Sequence, residues 1–358
     1  MTLKVFFVVL LAAACSACLA LTGKDIKGVY VTGWTPGAFT KAEIDATLDG
    51  AKEMGATDIF LQVRKYDDAL YNSALVKKVA NVAPGFDPLA YALKKAHGMG
   101  LRIHAWLVIC RIDGPEYKTS LTDRQKGWLA LMEDGEAMSN DAVYIDPAVP
   151  AAREYLCSVV KDVLKHYKVD GIHWDYIRYA SKSYSYSGYS RAIFYKEYGL
   201  RDVKSPKYAD FRRHNMNLLA RDLRDAVRSV NKTIPISAAT ITWGAMDSYE
   251  SSTPYVSVFQ DYREWLKQGY IDIAMPMLYK RESNAEQKKD FRNWLASFAK
   301  QGRDTQFAVT VSDTMNEPEE AVEQIKLIKK AGYGWCIFAF NDNEYRQPIK
   351  EAVGKAGL

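Results

Sequence analysis

Eight alternations of a strand-like segment with a helix-like segment constrain this chain more than any other feature of its sequence. Each strand-like segment is a short run rich in Val, Ile, Leu, Phe and Ala, and the segments between them carry apolar residues at helical spacing. The strand segments are predicted at 27–33, 58–63, 102–109, 170–179, 235–241, 271–278, 305–312 and 334–341. Such alternation requires a parallel sheet with right-handed crossovers, and eight units predict an α/β fold of the (β/α)8 TIM barrel type.

The helix-like segments carry the start and stop residues that helices favour. Asp87 precedes Pro88, which is the expected order of an N-cap and a first-turn residue, and Gly98 and Gly100 follow the apolar positions. Helices are predicted at 41–54, 87–97, 150–167, 208–230, 261–267, 284–300, 318–331 and 343–355. No linker or low-complexity tract interrupts the series, so we expect one domain over residues 25–358.

Residues 1–20 are predicted to form an export signal. Lys4 precedes an apolar run at 5–14, which is too short to span a bilayer, and small residues follow it. Cys15 and Cys18 each follow small residues, as the lipidated cysteine of a bacterial lipoprotein signal does, although both contexts are imperfect versions. The alternative is an ordinary cleaved signal that ends near Ala20. We therefore expect an exported protein of the bacterial cell envelope, in the periplasm or outer membrane, attached to the membrane through one lipidated cysteine.

Composition and motifs argue against several classes of function. The net charge of +5 is spread along the chain without a Lys/Arg block, so a nucleic-acid partner is not expected. The chain has no GxGxxG or GxxxxGK[ST] motif for nucleotides, no HxxH, HExxH or calcium-loop spacing for metals, and no GxSxG elbow. Cys110, Cys157 and Cys336 are isolated, and we expect buried free thiols. No cofactor and no metal are expected.

The fourth strand segment, Asp170–Tyr179 (DGIHWDYIRY), differs from an ordinary buried strand. Such a strand is apolar throughout, whereas this one ends in Asp175, Tyr176 and Arg178. In TIM barrels the chemistry lies at the C-terminal ends of the strands, which places Asp175 in a functional region. Arg178 or Arg64 would favour its charged form, and an ion pair with Arg64 is the structural alternative. Asp170 is expected to cap or turn the chain rather than to take part in chemistry.

The other strand ends add carboxylates, arginines and aromatic rings. They include Trp34, Arg64, Asp68, His104, Trp106, Arg111, Asp113, Trp243, Asp247, Tyr279, Glu282 and Trp335. Cleavage of a glycosidic bond requires one protonated and one ionised carboxyl group, and aromatic rings suit the faces of sugars. His104 could equally be a core histidine, and Trp106 and Trp174 could simply pack in the barrel.

Five motifs in sequence order resemble a known family. They are Gln62-Val63-Arg64, Asp146-Pro147, the run from Asp170 to Tyr179, Gln260-Asp261-Tyr262 with Trp265, and Met275-Pro276-Met277 with Tyr279. Together they resemble the bacterial glycosyl hydrolase-like family 10 domain over roughly residues 25–345. Ala180 stands where a Pro is frequent in that family, and Tyr262 where a Trp is common. The resemblance implies a TIM barrel that hydrolyses a glycosidic bond, and some members are similar to lipoproteins that cut peptide-free peptidoglycan strands.

With this resemblance, the sequence predicts an exported glycosidase that acts on a polysaccharide, with peptidoglycan glycan as the first candidate. Asp175 is assigned as nucleophile or electrostatic stabiliser, and Arg64, His104, Tyr176 and Arg178 are expected to orient it. The predicted substrate-binding residues are Trp34, Asp68, Trp106, Trp243, Tyr279 and Trp335. The second carboxyl group stays open among Asp68, Asp113, Asp247 and Glu282, and a substrate acetamido group could replace one carboxylate. The alternative is a non-catalytic glycan-binding lipoprotein on the same barrel; a deacetylase would need a metal site that the sequence does not indicate.

Overall fold

A computed structural model of the chain describes residues 21–113, 121, 126–139 and 142–358. Its centre is a parallel sheet of eight strands. The strands are β1 (Lys27–Val31), β2 (Asp58–Arg64), β3 (Arg102–Val108), β4 (Gly171–Asp175), β5 (Ile236–Thr240), β6 (Ile273–Pro276), β7 (Ala308–Ser312) and β8 (Gly334–Phe338). All ladders between neighbours are parallel, and the order is β6-β5-β4-β3-β2-β1-β8-β7. The predicted (β/α)8 fold is therefore confirmed.

The sheet closes into a barrel where β6 meets β7. This pair lacks a continuous ladder and is joined by two isolated parallel bridges, Ala274 with Phe307 and Met277 with Thr310. The backbone N–H of Leu278 donates to the carbonyl of Thr310 at 2.9 Å, which adds one more link just beyond β6. We call this pair of strand edges the β6–β7 seam.

Helices cover the outside of the barrel. They are α1 (Lys41–Glu53), α2 (Pro88–Gly98), α3 (Pro150–His166), α4 (Gly188–Tyr198), α5 (Pro206–Val230), α6 (Tyr262–Gln268), α7 (Ala285–Ser297), α8 (Pro318–Lys330) and α9 (Arg346–Ala356). A four-residue helix, Thr253–Val256, lies between β5 and α6. The Asp87 side chain accepts a hydrogen bond from the backbone N–H of Ala90, so α2 begins at the cap that the sequence predicted.

Two apolar layers pack against the two faces of the barrel sheet. The larger layer lies between the sheet and the helices, and it contains Trp174 and Trp335. The smaller layer fills the barrel interior and includes Tyr30, Phe60, Trp106 and Met275. Because successive side chains of a strand alternate between the two layers, a residue's position within its strand decides which layer it enters.

The N-terminal end of the barrel is fixed by Asp58, Arg102 and His104. The Asp58 carboxylate accepts hydrogen bonds from the Arg102 guanidinium at 2.7 Å and from the His104 ring at 2.8 Å. Asp58 is fully buried, but these donors outweigh the desolvation that would raise its pKa and lower the pKa to about 2. This cluster stabilises the start of β2 and β3.

Gly171 at the start of β4 leaves the space that the His104 ring occupies. A Cβ atom at Gly171 would overlap Nδ1 of His104, which is itself buried and held by Asp58. The Asp170-Gly171 pair therefore does more than turn the chain. Asp170 accepts a hydrogen bond from the Ile103 N–H at 2.8 Å, while Gly171 admits the imidazole.

Replacing Gly171 with Ala is expected to lower the free energy of unfolding by about 2–3 kcal/mol, because overpacking forces the ring or the strand to move. Urea titration followed by circular dichroism measures this change. Gly98→Ala is the matched control, since it has no atom within 4 Å of the added Cβ and lies in a helix, where Ala is favoured. An equal loss in both variants would contradict the steric explanation.

Asp146, from the predicted Asp-Pro motif, secures the loop after β4. Its buried carboxylate accepts hydrogen bonds from the hydroxyls of Tyr179, Ser185 and Ser190 at 3.2, 2.8 and 2.6 Å, and from the Ala148 N–H at 3.0 Å. Burial raises its pKa. The motif therefore has a structural role, in which four neutral donors satisfy a desolvated carboxyl group.

Small sheets extend the loops after β2 and β3. Asp68–Ala69 pairs with Lys77–Lys78, and Arg111–Asp113 joins an antiparallel sheet with Ala142–Tyr144 and Met138–Ser139.

The predicted signal segment 1–20, with Cys15 and Cys18, lies outside the described residues, so that prediction and the 25–358 domain boundary stay predictions. Within the described ranges, no helix combines the length and the apolar character needed to cross a bilayer.

Candidate active site

A cavity of about 200 Å³ opens at the C-terminal end of the barrel strands. Its walls come from β1, β3, β4, β5 and β8 and from the loops that follow β1, β4, β5 and β6, so it lies where TIM barrels place their chemistry. The lining residues are Tyr30, Trp34, Trp106, Asp175, Tyr176, Arg178, Ala239, Ile241, Trp243, Met277, Tyr279 and Phe338. Seven of them were predicted as site residues: Trp34, Trp106, Asp175, Tyr176, Arg178, Trp243 and Tyr279. The structure brings these seven together, while their roles stay predictions.

Asp175 is the carboxylate of this cavity. It is the last residue of β4 and is 7% exposed, and burial raises the pKa of its carboxyl group. Arg178, the backbone N–H of Tyr176 at 2.6 Å, the Trp106 side chain and Arg111 act in the opposite direction. The two arginines thus favour an ionised Asp175 in an otherwise desolvated place.

Tyr176 adopts a left-handed backbone conformation with φ of 48°, which is rare for a residue other than glycine. Strain of this kind is concentrated at functional sites. Here it follows directly after Asp175 and brings the phenol ring between two arginines. The Arg178 guanidinium lies 4.4 Å from the centre of the Tyr176 ring, and that of Arg111 lies 5.5 Å from it.

The same stacking continues on both sides. Arg178 also lies 5.1 Å from the centre of the Trp243 ring, and Arg111 lies 5.2 Å from that of Tyr66. We call the series Tyr66, Arg111, Tyr176, Arg178 and Trp243 the arginine ladder. Cation–π attraction fixes both guanidinium groups without a carboxylate. At the solvent end of the ladder, Trp243 is 46% exposed and offers an open ring face for a sugar.

The floor of the cavity is a polar chain inside the barrel. The Tyr30 hydroxyl lies 3.1 Å from Nε2 of His173, and Nδ1 of His173 lies 2.9 Å from the Ser237 hydroxyl. Ser237 in turn donates to the Ile172 carbonyl at 3.3 Å. Burial lowers the pKa of His173 well below its usual value, so the ring is neutral. One of its ring nitrogens then donates a hydrogen bond and the other accepts one. This series of hydrogen bonds orients the Tyr30 phenol at the base of the cavity.

Side-chain amides tie together the loops that carry the site. The Asn341 amide accepts from the Thr32 N–H at 2.9 Å and donates to the Thr35 and Pro36 carbonyls, both at 3.1 Å, which holds the loop of Trp34. Gln260 bonds the Ile241 N–H at 2.8 Å and the Ile177 carbonyl at 3.2 Å, linking the ends of β4 and β5. Backbone groups at the strand ends lack ladder partners, and these amides satisfy them.

The loop of Trp243 is held from outside the barrel. The Gly244 carbonyl accepts hydrogen bonds from Nζ of Lys280 at 3.0 Å and from Nε1 of Trp294 at 2.9 Å. Lys280 is almost fully buried, and burial lowers its pKa. These contacts fix the backbone that presents the exposed Trp243 ring.

Two predicted orienting residues lie away from the cavity. His104 is the third residue of β3 and bonds Asp58 at the opposite end of the barrel, so it cannot orient Asp175. Arg64 donates to the carbonyls of Val108 and Ile109 and pairs with Asp67 at 3.3 Å. It therefore satisfies strand-end carbonyls, and neither the predicted orienting contact nor the alternative ion pair with Asp175 is formed.

Two predicted substrate-binding residues also lie elsewhere. Asp68 is fully buried, and its Oδ1 accepts hydrogen bonds from the N–H groups of Lys65 and Tyr66, both at 3.1 Å, so it caps the turn after β2. Trp335 is the second residue of β8 and packs in the layer between sheet and helices. Its position near the strand start and on the outer face removes it from the cavity.

The other candidates for a second carboxyl group do not line the cavity either. Asp113 is buried in the side sheet, and Asp247 is exposed on the loop after β5. Glu282 is paired with Lys288 at 3.1 Å and with Arg292 at 3.8 Å. Each carboxylate is thus occupied or remote.

Asp313 is a candidate that the sequence reasoning missed. It follows directly after β7, and its Oδ1 accepts a hydrogen bond from the Ala339 N–H at 3.0 Å, beside Phe338 of the cavity wall. Its Oδ2 is buried without a hydrogen-bond partner among the described residues. Burial raises its pKa to about 6, and both Asp313 and Asp175 raise the pKa of the cavity residue Tyr279. The signal was an Asp at the very end of a predicted strand, TQFAVTVS followed by Asp313.

A larger cavity of about 860 Å³ lies apart from the strand ends. It is formed by loop segments 132–134, 182–186 and 203–205 and by the start of α5. Its charged groups, Glu133, Asp134, Lys182, Lys204 and Arg212, come from loops and a helix.

Within the described ranges, no group of three or more His, Cys, Asp or Glu side chains is arranged to hold a metal ion.

Sequence comparisons agree with this architecture. Glycosyl hydrolase YngK of Bacillus subtilis is 28% identical over 261 residues, which cover 67% of this chain and 49% of YngK. Glycosyl hydrolase DigH of Escherichia coli is 25% identical over 278 residues, which cover 72% of this chain and 62% of DigH. The chain thus spans about half to three fifths of the length of these relatives.

Structural comparisons show the same fold. The glycoside hydrolase domain of PgaB (BpsB) from Bordetella bronchiseptica superposes with a TM-score of 0.68 at 13% identity, covering 87% of this chain and 93% of that domain. A β-galactosidase from Marinomonas ef1 superposes with a TM-score of 0.63 at 11% identity, covering 92% of this chain and 58% of that enzyme. The model of the family Glycosyl hydrolase-like 10 matches residues 25–312. With a match over most of the barrel, the chain belongs to the Glycosyl hydrolase-like 10 family.

Proposed function

We propose that this protein is a glycoside hydrolase that cleaves a polysaccharide in the cavity at the mouth of the barrel. The observation that carries the proposal is Asp175, a buried carboxylate beside Arg178 in a cavity walled by Trp34, Trp106 and Trp243. Aromatic walls favour sugar rings, and a carboxylate at their centre stabilises positive charge on the anomeric carbon.

The two carboxyl groups have different environments and therefore different roles. No cationic side chain lowers the pKa of Asp313, which burial raises to about 6. In mildly acidic solution its Oδ2, which has no hydrogen-bond partner among the described residues, therefore holds a proton. It donates this proton to the glycosidic oxygen as the carbon–oxygen bond breaks, and the bonding electrons stay on that oxygen. Asp175, whose charged form the two arginines favour against the effect of burial, stabilises the oxocarbenium-like transition state or bonds to the anomeric carbon. Water then supplies the new hydroxyl group and returns a proton to Asp313.

Peptidoglycan glycan is the substrate that we propose first, in an exported protein of the cell envelope. The export signal predicted at 1–20 supports that location, and a lipid on Cys15 or Cys18 would attach the protein to the membrane. Mass spectrometry of the N-terminal peptide from membrane fractions tests the attachment. An unmodified N-terminus would count against the lipid anchor and leave the hydrolase proposal intact.

A glycan-binding protein without turnover is the second candidate. Asp175 is the one carboxylate among the residues that line the cavity, whereas Asp313 is absent from the lining and is hydrogen-bonded to the backbone of Phe338 and Ala339. Most glycosidases use two carboxyl groups at the scissile bond, so a rigid Asp313 at its present place would favour binding over hydrolysis.

The test is incubation of the purified protein with intact peptidoglycan, peptide-free peptidoglycan and a panel of neutral polysaccharides. Products are separated by chromatography and identified by mass spectrometry. New reducing ends on one class of glycan are expected, with peptide-free strands preferred. Tight binding of a glycan without any release of fragments would instead establish the second candidate.

A further inference from the structure

Neither guanidinium group of the arginine ladder forms a direct ion pair with a described residue. In the described part of the chain, neither Arg111 nor Arg178 has a carboxylate oxygen within 4.0 Å. Arg178 is 6% exposed, yet its hydrogen bond to the Tyr179 carbonyl is long, at 3.4 Å, and its Nε is unpartnered. Arg111 donates to the Tyr176 hydroxyl at 3.3 Å, and its Nε is unpartnered too.

This arrangement differs from a structural arginine in the same protein. Arg64, which is 1% exposed, also has an unpartnered Nε, but its terminal nitrogens are occupied by two carbonyls and by Asp67. A buried cation without a partner is costly, and such groups are retained where a ligand completes them. Arg178 lines the cavity, so its free donors are accessible to a molecule bound there.

Charge balance indicates what kind of group fits. With Asp313 protonated, as the proposed general acid requires, Arg178 in the cavity wall and Arg111 behind the Tyr176 ring are balanced by one carboxylate, Asp175, which leaves an excess of one positive charge. A singly charged anion neutralises this excess. A doubly charged group such as a phosphate monoester would also be repelled by Asp175, which lies close enough to Arg178 to feel its charge.

We propose that the arginine ladder binds the carboxylate of an acidic sugar next to the bond that is cleaved. The proposal rests on the proposed function in that the ligand is a glycan. Arg178 donates hydrogen bonds to the carboxylate, Arg111 adds attraction across the Tyr176 ring, and the exposed face of Trp243 carries the ring of the same or the adjoining sugar. The ladder then determines specificity for acidic over neutral glycans.

The test uses two oligosaccharides that differ in one group. One alternates N-acetylglucosamine and N-acetylmuramic acid, and the other is the same molecule with each carboxyl group reduced to a primary alcohol. Calorimetry with the full chain gives Kd, and initial rates give kcat/KM. Charge-assisted hydrogen bonds predict a preference for the acidic form of about 10–100-fold. Arg178→Gln is expected to reduce this preference to below about 3-fold.

Arg201→Gln is the matched control. Arg201 stacks on Tyr195 at 4.2 Å on the exposed surface of the barrel, so its loss removes a cation–π contact without touching the cavity. Arg111→Gln is a second variant of the ladder, and a smaller loss of preference is expected because Arg111 does not line the cavity. Circular dichroism verifies that each variant is folded.

Equal binding of the two oligosaccharides by the wild type, or an unchanged preference in folded Arg178→Gln, would overturn the proposal. Failure of the proposed function is distinguishable from these results. Cleavage of both forms at equal rates leaves the hydrolase and removes the acidic subsite. Selective binding without cleavage keeps the acidic subsite and supports a glycan-binding protein.

Discussion

Asn in place of Asp175 is expected to lower kcat/KM for glycan cleavage by about 10³-fold, because the negative charge that stabilises the transition state is lost in a site that excludes water. The substitution keeps the size of the side chain and one oxygen to accept from the Tyr176 N–H. The fold should therefore persist, and Kd for the substrate should change far less than kcat. Product release measured by mass spectrometry, together with calorimetric Kd, separates the two effects.

Asp170→Asn is the matched control for this variant. Asp170 precedes the same strand at the opposite end of the barrel, where it bonds His97 at 2.8 Å and the Ile103 N–H. Its replacement should leave turnover within about 2-fold of the wild type, as expected for a site outside the cavity. Near-normal turnover in Asp175→Asn would remove Asp175 from the mechanism.

Asn in place of Asp313 is expected to remove the basic limb of the pH–activity profile and to lower kcat/KM by about 10²–10³-fold. A general acid works only when protonated, so wild-type activity should fall as the pH rises through about 6, the pKa to which burial raises Asp313. The Asn variant carries no titrating group at this position. Initial rates from pH 4 to pH 9 measure the limb.

A substrate with a good leaving group sharpens this test. In an aryl glycoside such as a 4-nitrophenyl derivative, the leaving group is 4-nitrophenolate, which departs without protonation. Asp313→Asn should therefore cleave this substrate at close to the wild-type rate. Glu282→Gln is the control, since Glu282 is paired with Lys288 and should not affect the limb. A basic limb that persists unchanged in Asp313→Asn would assign the proton donor to another group.

The fold was predictable because its signal is repeated. Eight strand segments with helices between them leave few topologies, and the boundaries of β2 and β7 in the structure lie within one to three residues of the predicted ones. The cap at Asp87 and the turn at Asp170 are equally local signals. Apolar residues recur with the period of a strand or of a helix, so this pattern can be read directly from the sequence.

The site was predictable only where position within a strand was clear. Asp175 ends β4 and reached the cavity, whereas His104 and Trp335 lie near the starts of their strands, at the other end of the barrel or on its outer face. Asp68 comes shortly after β2, but its carboxylate accepts hydrogen bonds from the Lys65 and Tyr66 N–H groups in a tight turn and does not line the cavity. Asp313 was overlooked although it follows β7 directly. The left-handed conformation of Tyr176, which completes the arginine ladder, has no signal in the sequence because tertiary contacts impose it.

Under the proposed mechanism, the β6–β7 seam affects the distance between the carboxyl groups of Asp175 and Asp313. Tyr279 follows β6 on one side of the seam, and Asp313 follows β7 on the other, while Asp175 belongs to the continuously hydrogen-bonded part of the wall. Strands joined by isolated bridges can slide or part with fewer bonds broken than strands joined by a ladder. The barrel therefore places Asp175 on an arc of continuous ladders and Asp313 beside the join that has only isolated bridges. Carboxyl spacing distinguishes retaining from inverting glycosidases, so the stereochemistry of the product would be set at this seam.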